Sequence, residues 1–190
     1  MNRTPTKIPI MKYDSNIHHR RSIRLKEYDY SWTGWYYITI CVKDRECSLG
    51  KTRNDGVVLS DVGKIAEKCW KEIPHHFHGV DLDAYIIMPN HLHGIVIINN
   101  PSRRGVQLNA PTEDVPRLSP RKGSLSIIVR TFKAAVTTKC RRSSIAGFSW
   151  QRGFYEHVIR NDGDLHRIRT YIQNNPLKWS MDEENPNNRP

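Results

Sequence analysis

The 190-residue chain lacks any apolar run near the ~18 residues that a membrane span needs, so a transmembrane protein is not expected. Its opening residues, Met1-Asn2-Arg3-Thr4-Pro5, hold no apolar core, which argues against a secretory signal. Cysteine is scarce. Cys41, Cys47, Cys69 and Cys140 form no C-x-x-C pair and follow no regular spacing. That pattern argues against a disulfide framework or a zinc knuckle, and suits reduced thiols in a cytoplasmic protein. No internal repeat is present. Acidic residues are in deficit, with 19 Asp+Glu against 30 Lys+Arg and a formal net charge of +11. What remains is ordinary: 37% hydrophobic and 26% charged residues, enough apolar material for one folded domain of this length.

The positive charge is concentrated. Residues 1–28 carry seven basic and two acidic residues, and residues 103–142 carry ten and two. Everything else is slightly acidic, with thirteen bases against fifteen acids. Two cationic stretches around a near-neutral remainder suit a polyanion, nucleic acid first, although solubility alone can also produce such a balance.

Residues 1–28 are polar and aperiodic and read as a basic arm. Trp35 to Val42 is rich in β-branched and aromatic residues and predicts a strand. Asn54-Asp55-Gly56 marks a turn before the short run Val57-Val58-Leu59. Ser60 or Asp61 can cap a helix that runs to about Ile73, with Pro74 as its stop. Strands follow over Val80–Met88 and His91–Ile98, hinged at Pro89-Asn90, and residues 99–123 read as a long mobile loop. Ser124 opens a second helix carrying Arg130, Lys133 and Lys139, and a further strand is expected between Trp150 and Ile159. Asn161 or Asp162 caps a third helix that reaches Asn175 before Pro176, and residues 177–190 read as a frayed tail. The order of elements predicts an α+β sandwich, a mainly antiparallel sheet with helices packed on one face.

His91-Leu92-His93 carries the sharpest chemistry. Residues i and i+2 of a strand share a face, so both imidazoles project together as half of a metal site. The flanks Tyr85-Ile86-Ile87-Met88 and Ile95-Val96-Ile97-Ile98 make these strands central, where polar groups need partners. On the third helix Tyr171 and Asn175, at i and i+4, share one face beside the apolar stripe of Leu165, Ile168 and Ile172. Tyr155, next to Glu156 and His157, is a rival nucleophile. His75-His76-Phe77-His78 is expected to be a solvated cluster in a loop.

Met88-Pro89-Asn90-His91-Leu92-His93, followed by Tyr171-Ile172-Gln173-Asn174-Asn175-Pro176, resembles the HUH (His-hydrophobe-His) single-tyrosine transposases, and within them the REP-associated tyrosine transposases. Further matches are Arg21-Ser22-Ile23-Arg24-Leu25, Tyr28-Asp29-Tyr30-Ser31, Tyr37-Ile38-Thr39-Ile40-Cys41 and Trp150-Gln151-Arg152-Gly153-Phe154-Tyr155-Glu156, collinear from residue 20 to about 179.

The resemblance implies a ferredoxin-like domain over residues 29–176 that cuts and joins single-stranded DNA beside palindromic hairpins. It implies His91, His93 and Asn175 as ligands of a catalytic divalent cation, Mg²⁺ or Mn²⁺, and Tyr171 as the nucleophile of a 5′-phosphotyrosine intermediate. No other cofactor is implied, and the protein is expected in the bacterial cytoplasm with the nucleoid, as a monomer or homodimer. Arg20, Arg21 and Arg24 of the arm are candidates for reading the hairpin, and Arg130 and Lys133 for holding phosphates. Trp32, Trp35 and Trp150 are candidates for base stacking. Two other readings stay open: a non-catalytic regulator that binds palindromic DNA or RNA, and a zinc hydrolase built on His91, His93 and His157.

Overall fold

A computed structural model describes residues 30–53, 56–99, 123–182 and 185–188. Six strands and four α-helices alternate along it. They are β1 (Gly34–Cys41), β2 (Gly50–Arg53), β3 (Gly56–Leu59), α1 (Asp61–Lys71), α2 (Ile73–His76), β4 (Val80–Ile87), β5 (His91–Ile98), α3 (Leu125–Arg142), β6 (Tyr155–Ile159) and α4 (Asp162–Asn174). The arm of residues 1–28 and most of the expected loop lie outside the described residues.

The main sheet has the order β4-β5-β1-β6, and every pairing in it is antiparallel. With α1 leading into β4 and α3 into β6, the path is β-α-β-β-α-β, the ferredoxin-like arrangement that the family resemblance implies. β2 and β3 pair antiparallel in a separate two-stranded sheet, and Asn54 and Asp55 of the expected turn lie outside the described residues. Ser60 is the N-cap of α1, its Oγ accepting the Gly63 amide at 3.1 Å. Pro74 does not leave a loop behind it. It sits in the first turn of α2, where its missing N–H costs nothing, so His75 and His76 are helical.

The two faces of the sheet bury different helices. Tyr36, Ile38 and Ile40 of β1 and Leu92 and Val96 of β5 face one way, and join Ala66, Cys69 and Trp70 of α1 and Ile128, Phe132 and Val136 of α3 in the larger core. The opposite face presents Trp35, Tyr37, Ile95 and Ile159, which pack on Leu165, Ile168 and Ile172 of α4. The expected single helical face thus holds for α1 and α3, while α4 lies on the other side. β1 and β5 are apolar on both faces, so both must be covered. α4 is also tied to a bulge in β4, where register shifts between Leu82 and Tyr85. There Arg169 grips both carboxylate oxygens of Asp83 at 2.8 and 2.7 Å, and its guanidinium lies 5.7 Å from the Trp35 ring centroid.

The segment read as a frayed tail contains two 3-10 turns, Trp179–Met181 and Pro186–Asn188. Among the described residues no helix is long and apolar enough to cross a membrane.

Candidate functional site

β5 places His91 and His93 on the α4 face, opposite Cys41 and Thr39 of β1. Both side chains are buried, and their ring centroids lie 4.4 Å apart. Their hydrogen bonds decide which nitrogen is free. Asn90 Nδ2 donates to the Arg45 carbonyl at 3.1 Å, which leaves Asn90 Oδ1 to accept from His91 Nδ1 at 2.8 Å. His93 Nδ1 lies 2.7 Å from Tyr37 Oη and 2.8 Å from Thr39 Oγ1, and Thr39 Oγ1 donates to Tyr37 Oη at 3.2 Å. The Asn90 carbonyl oxygen thus puts the His91 proton on Nδ1 and leaves its Nε2 bare, while His93 Nδ1 faces two hydroxyls that can each donate or accept; in both rings Nδ1 is the engaged nitrogen and Nε2 is not.

Those two Nε2 atoms are buried without a hydrogen-bond partner, and so is Asn175 Oδ1. A buried unsatisfied polar atom costs about 1–3 kcal/mol, so three gathered in one region make a place suited to an ion or water that pairs with them. His91, His93 and Asp182 offer ligand atoms that all lie within 4.8 Å of one another, a spacing that can hold a metal ion. Two imidazoles, a carboxylate and an amide oxygen fit a divalent cation in donor chemistry.

Electrostatics favour the same use. Burial holds His91 well below its ordinary range, with His93 and the Arg45 charge adding to the effect. Burial alone pushes His93 down to about 3. Both rings are thus neutral at physiological pH, and no proton must leave before they bind a metal. Asp182 is raised by burial, opposed by a hydrogen bond from Asn175 and by the nearby Arg45. Burial raises the Tyr37 phenol far above its usual value, so it stays protonated.

Tyr171 stands at the rim. It is 46% exposed, its ring centroid is 5.3 Å from that of His93, and it meets the Tyr37 ring edge-on at 6.4 Å. Tyr155, 41% exposed, meets Tyr37 at 6.3 Å from β6. His157 Nε2 is held by Asp164 at 2.8 Å and is not part of the histidine–aspartate group.

The structure thus brings His91, His93, Tyr171 and Asn175 together. Arg130 and Lys133 are placed elsewhere. α3 packs on the opposite face of the sheet, where Arg130 is exposed and Lys133 donates to the backbone carbonyls of Gln151 (2.7 Å) and Gly153. Lys133 is half-buried, and burial lowers its ammonium to about 8. Arg20, Arg21 and Arg24 lie outside the described residues. Trp150 packs against the larger core, and Trp35 lies under Arg169. Sequence reasoning missed Asp182 and Asn90. Asn90 had a signal, the strand hinge next to His91; Asp182 had only an acidic run.

No protein-family model matches the chain. An uncharacterised protein of Haemophilus influenzae is 44% identical over 175 residues, which cover 90% of this chain and 96% of that one. A second protein of the same organism, described as a "Putative REP-associated tyrosine transposase", is 28% identical over 79% of this chain and 74% of its own. Among solved structures, a REP-associated tyrosine transposase bound to a REP hairpin superposes with a TM-score of 0.55 at 21% identity, over 83% of this chain and 74% of that one. The fold is that of a transposase-like α+β protein. More narrowly, the chain belongs to one family with the first Haemophilus influenzae protein, and it resembles the REP-associated tyrosine transposases in sequence and in fold.

Proposed function

We propose that this protein cuts and joins single-stranded DNA beside palindromic hairpins, with Tyr171 as nucleophile and a divalent cation held by His91, His93 and Asn175. The observation that carries the reading is the meeting of an exposed tyrosine with three buried polar atoms that lack a partner, His91 Nε2, His93 Nε2 and Asn175 Oδ1. A bound cation, Mg²⁺ or Mn²⁺, would polarise the scissile phosphate and offset its developing charge.

The chain's own residues do the rest. Asn90, Tyr37 and Thr39 fix the imidazoles with Nε2 inward. α4 holds Tyr171 beside His93, within reach of both solvent and a strand lying over the rim. In the step, the Tyr171 Oη–P bond forms and the P–O3′ bond breaks. The phenolic proton passes to solvent and the 3′ oxygen takes one up. The phosphodiester energy is kept in the 5′-phosphotyrosine, so a second 3′-OH can reverse the step and join strands without ATP. The DNA partner has its support in the cationic stretches and in the hairpin bound by the structural relative.

The test uses single strands that carry hairpins from repeats flanking the protein's own gene, with Mn²⁺ present. Tyr171→Phe should abolish cleavage and the covalent adduct while leaving binding intact. Adduct formation that survives Tyr171→Phe and disappears in Tyr155→Phe would transfer the role to Tyr155. Tight binding with no cleavage by the unaltered protein would favour the regulator, a reading in which the same site is vestigial.

A further inference from the structure

After α4 the chain doubles back through its two 3-10 turns. Asparagine side chains hold that path. Asn185 Nδ2 donates to the Trp179 carbonyl at 2.9 Å, and Asn188 Nδ2 donates to the carbonyls of Ser180 at 2.7 Å and Asp182 at 3.0 Å. Asn185 is buried, whereas Leu177 and Met181 of the same segment are exposed. The segment is therefore not folded around its own apolar side chains. It points two groups at the histidines instead. The Trp179 ring lies 6.0 Å from His91, and the Asp182 carboxylate lies within 4.8 Å of ligand atoms on both His91 and His93. Asn175 donates to that carboxylate while its Oδ1 stays without a partner.

We infer that Asp182 is the anionic ligand of the cation site, and that cation binding and docking of residues 177–182 and 185–188 are one coupled equilibrium. The inference rests on the reading of the two histidines as a cation site. Two neutral imidazoles and an amide leave a buried divalent charge without any counter-charge, and a single carboxylate from the returning segment supplies it. Asn175 would then act twice: its partnerless Oδ1 is a further oxygen donor for the cation, and its amide N–H steers Asp182. The mixed donor set favours Mn²⁺ and its first-row neighbours over Mg²⁺, which prefers an octahedron of oxygens and water. Coupling follows from mass action. A cation that binds only when Asp182 is in place stabilises the docked segment by the free energy of that contact, and loosening the segment weakens the cation equally.

The experiment uses full-length protein without DNA and Mn²⁺ alone as probe. Free Mn²⁺ is followed by electron paramagnetic resonance, and amide exchange in residues 177–188 by mass spectrometry. The unaltered protein should bind Mn²⁺, and exchange in that segment should slow on binding. Asp182→Asn keeps the shape and removes the charge; its affinity should fall by about tenfold or more, and the slowing should vanish. Asn185→Ala touches no proposed ligand and should still weaken Mn²⁺ by loosening the segment.

Asp182→Asn binding within about twofold of the unaltered protein, while His93→Ala loses the ion, would overturn the role of Asp182 and leave the cation site and Tyr171 standing. If the unaltered protein binds no Mn²⁺, Asp182 and the cation site fall together. If Asp182→Asn does not fold, unchanged affinity and exchange in Asn185→Ala overturn the coupling.

Discussion

His93 shows how one residue's surroundings set its chemistry. Its Nδ1 is engaged by the Tyr37 and Thr39 hydroxyls, and its burial disfavours a second proton on the ring. The consequence extends to stability. In the unfolded chain a histidine takes up a proton near its ordinary 6.5, while in the fold His93 resists until about 3. Between those values the unfolded state binds more protons, so stability falls as pH drops through that window and is unaffected above it. Chemical denaturation in a chelator should show this loss from pH 6.5 down to about 3, and His93→Gln should make it shallower, the neighbouring His91 supplying the remainder. An equally steep acid dependence in the variant would place the effect on other groups.

Among the elements, β5 has the most demanding position. One face carries His91, His93 and Ile95, and the other carries Leu92, Gly94 and Val96 against the α1 and α3 layer. Gly94 is there because Trp70 crosses directly beneath it. A Cβ at that position would lie 2.3 Å from Trp70 Cζ2 and 2.8 Å from Cη2, and Trp70 is fully buried. Gly94→Ala should cost about 1–3 kcal/mol by overpacking. In a thermal melt that loss appears as a Tm lower by several degrees. Gly56→Ala is the control, since nothing lies within 4 Å of its added Cβ. Equal melting temperatures for the two variants would mean that Trp70 shifts freely, and that α1 does not support the histidine strand. α4 is positioned as firmly, by Ile172 against Ile95 and Tyr37 and by the two-pronged Arg169–Asp83 pair at the β4 bulge.

At the scale of the whole molecule, the charge is separated along the sequence from the candidate site. The histidine strand and α4 lie in the near-neutral remainder, and the basic excess lies in residues 1–28 and 103–142. Affinity for single-stranded DNA should therefore fall steeply with salt, with a log–log slope of about −0.7 per phosphate neutralised. Deleting residues 1–28 should lower affinity and flatten that slope. On a short strand without a hairpin, at saturating protein, the rate of Tyr171 adduct formation should be little changed. An equal loss of adduct rate and affinity on that substrate would mean that the arm takes part in the chemistry.

Local periodicity made much of this legible. A strand repeats every second residue, so His91 and His93 had to share a face, and helical spacing did the same for Tyr171 and Asn175. The order of the main strands and of α1, α3 and α4 followed from apolar patterning, capping residues and prolines. Periodicity says which side chains share a face, but not which face meets which partner. β1 and β5 are apolar on both sides, so only packing decided that α4 lies opposite α1 and α3. The free Nε2 atoms depend on Asn90, Tyr37 and Thr39, two of which arrive through strand pairing across the chain. Lys133 reads as a surface charge on its helix until the chain around Gln151 and Gly153 folds over it. Asp182 reads as part of an acidic tail until asparagine side chains turn it back onto the histidines. In each case a long-range contact, invisible to local spacing, determined what the residue can do.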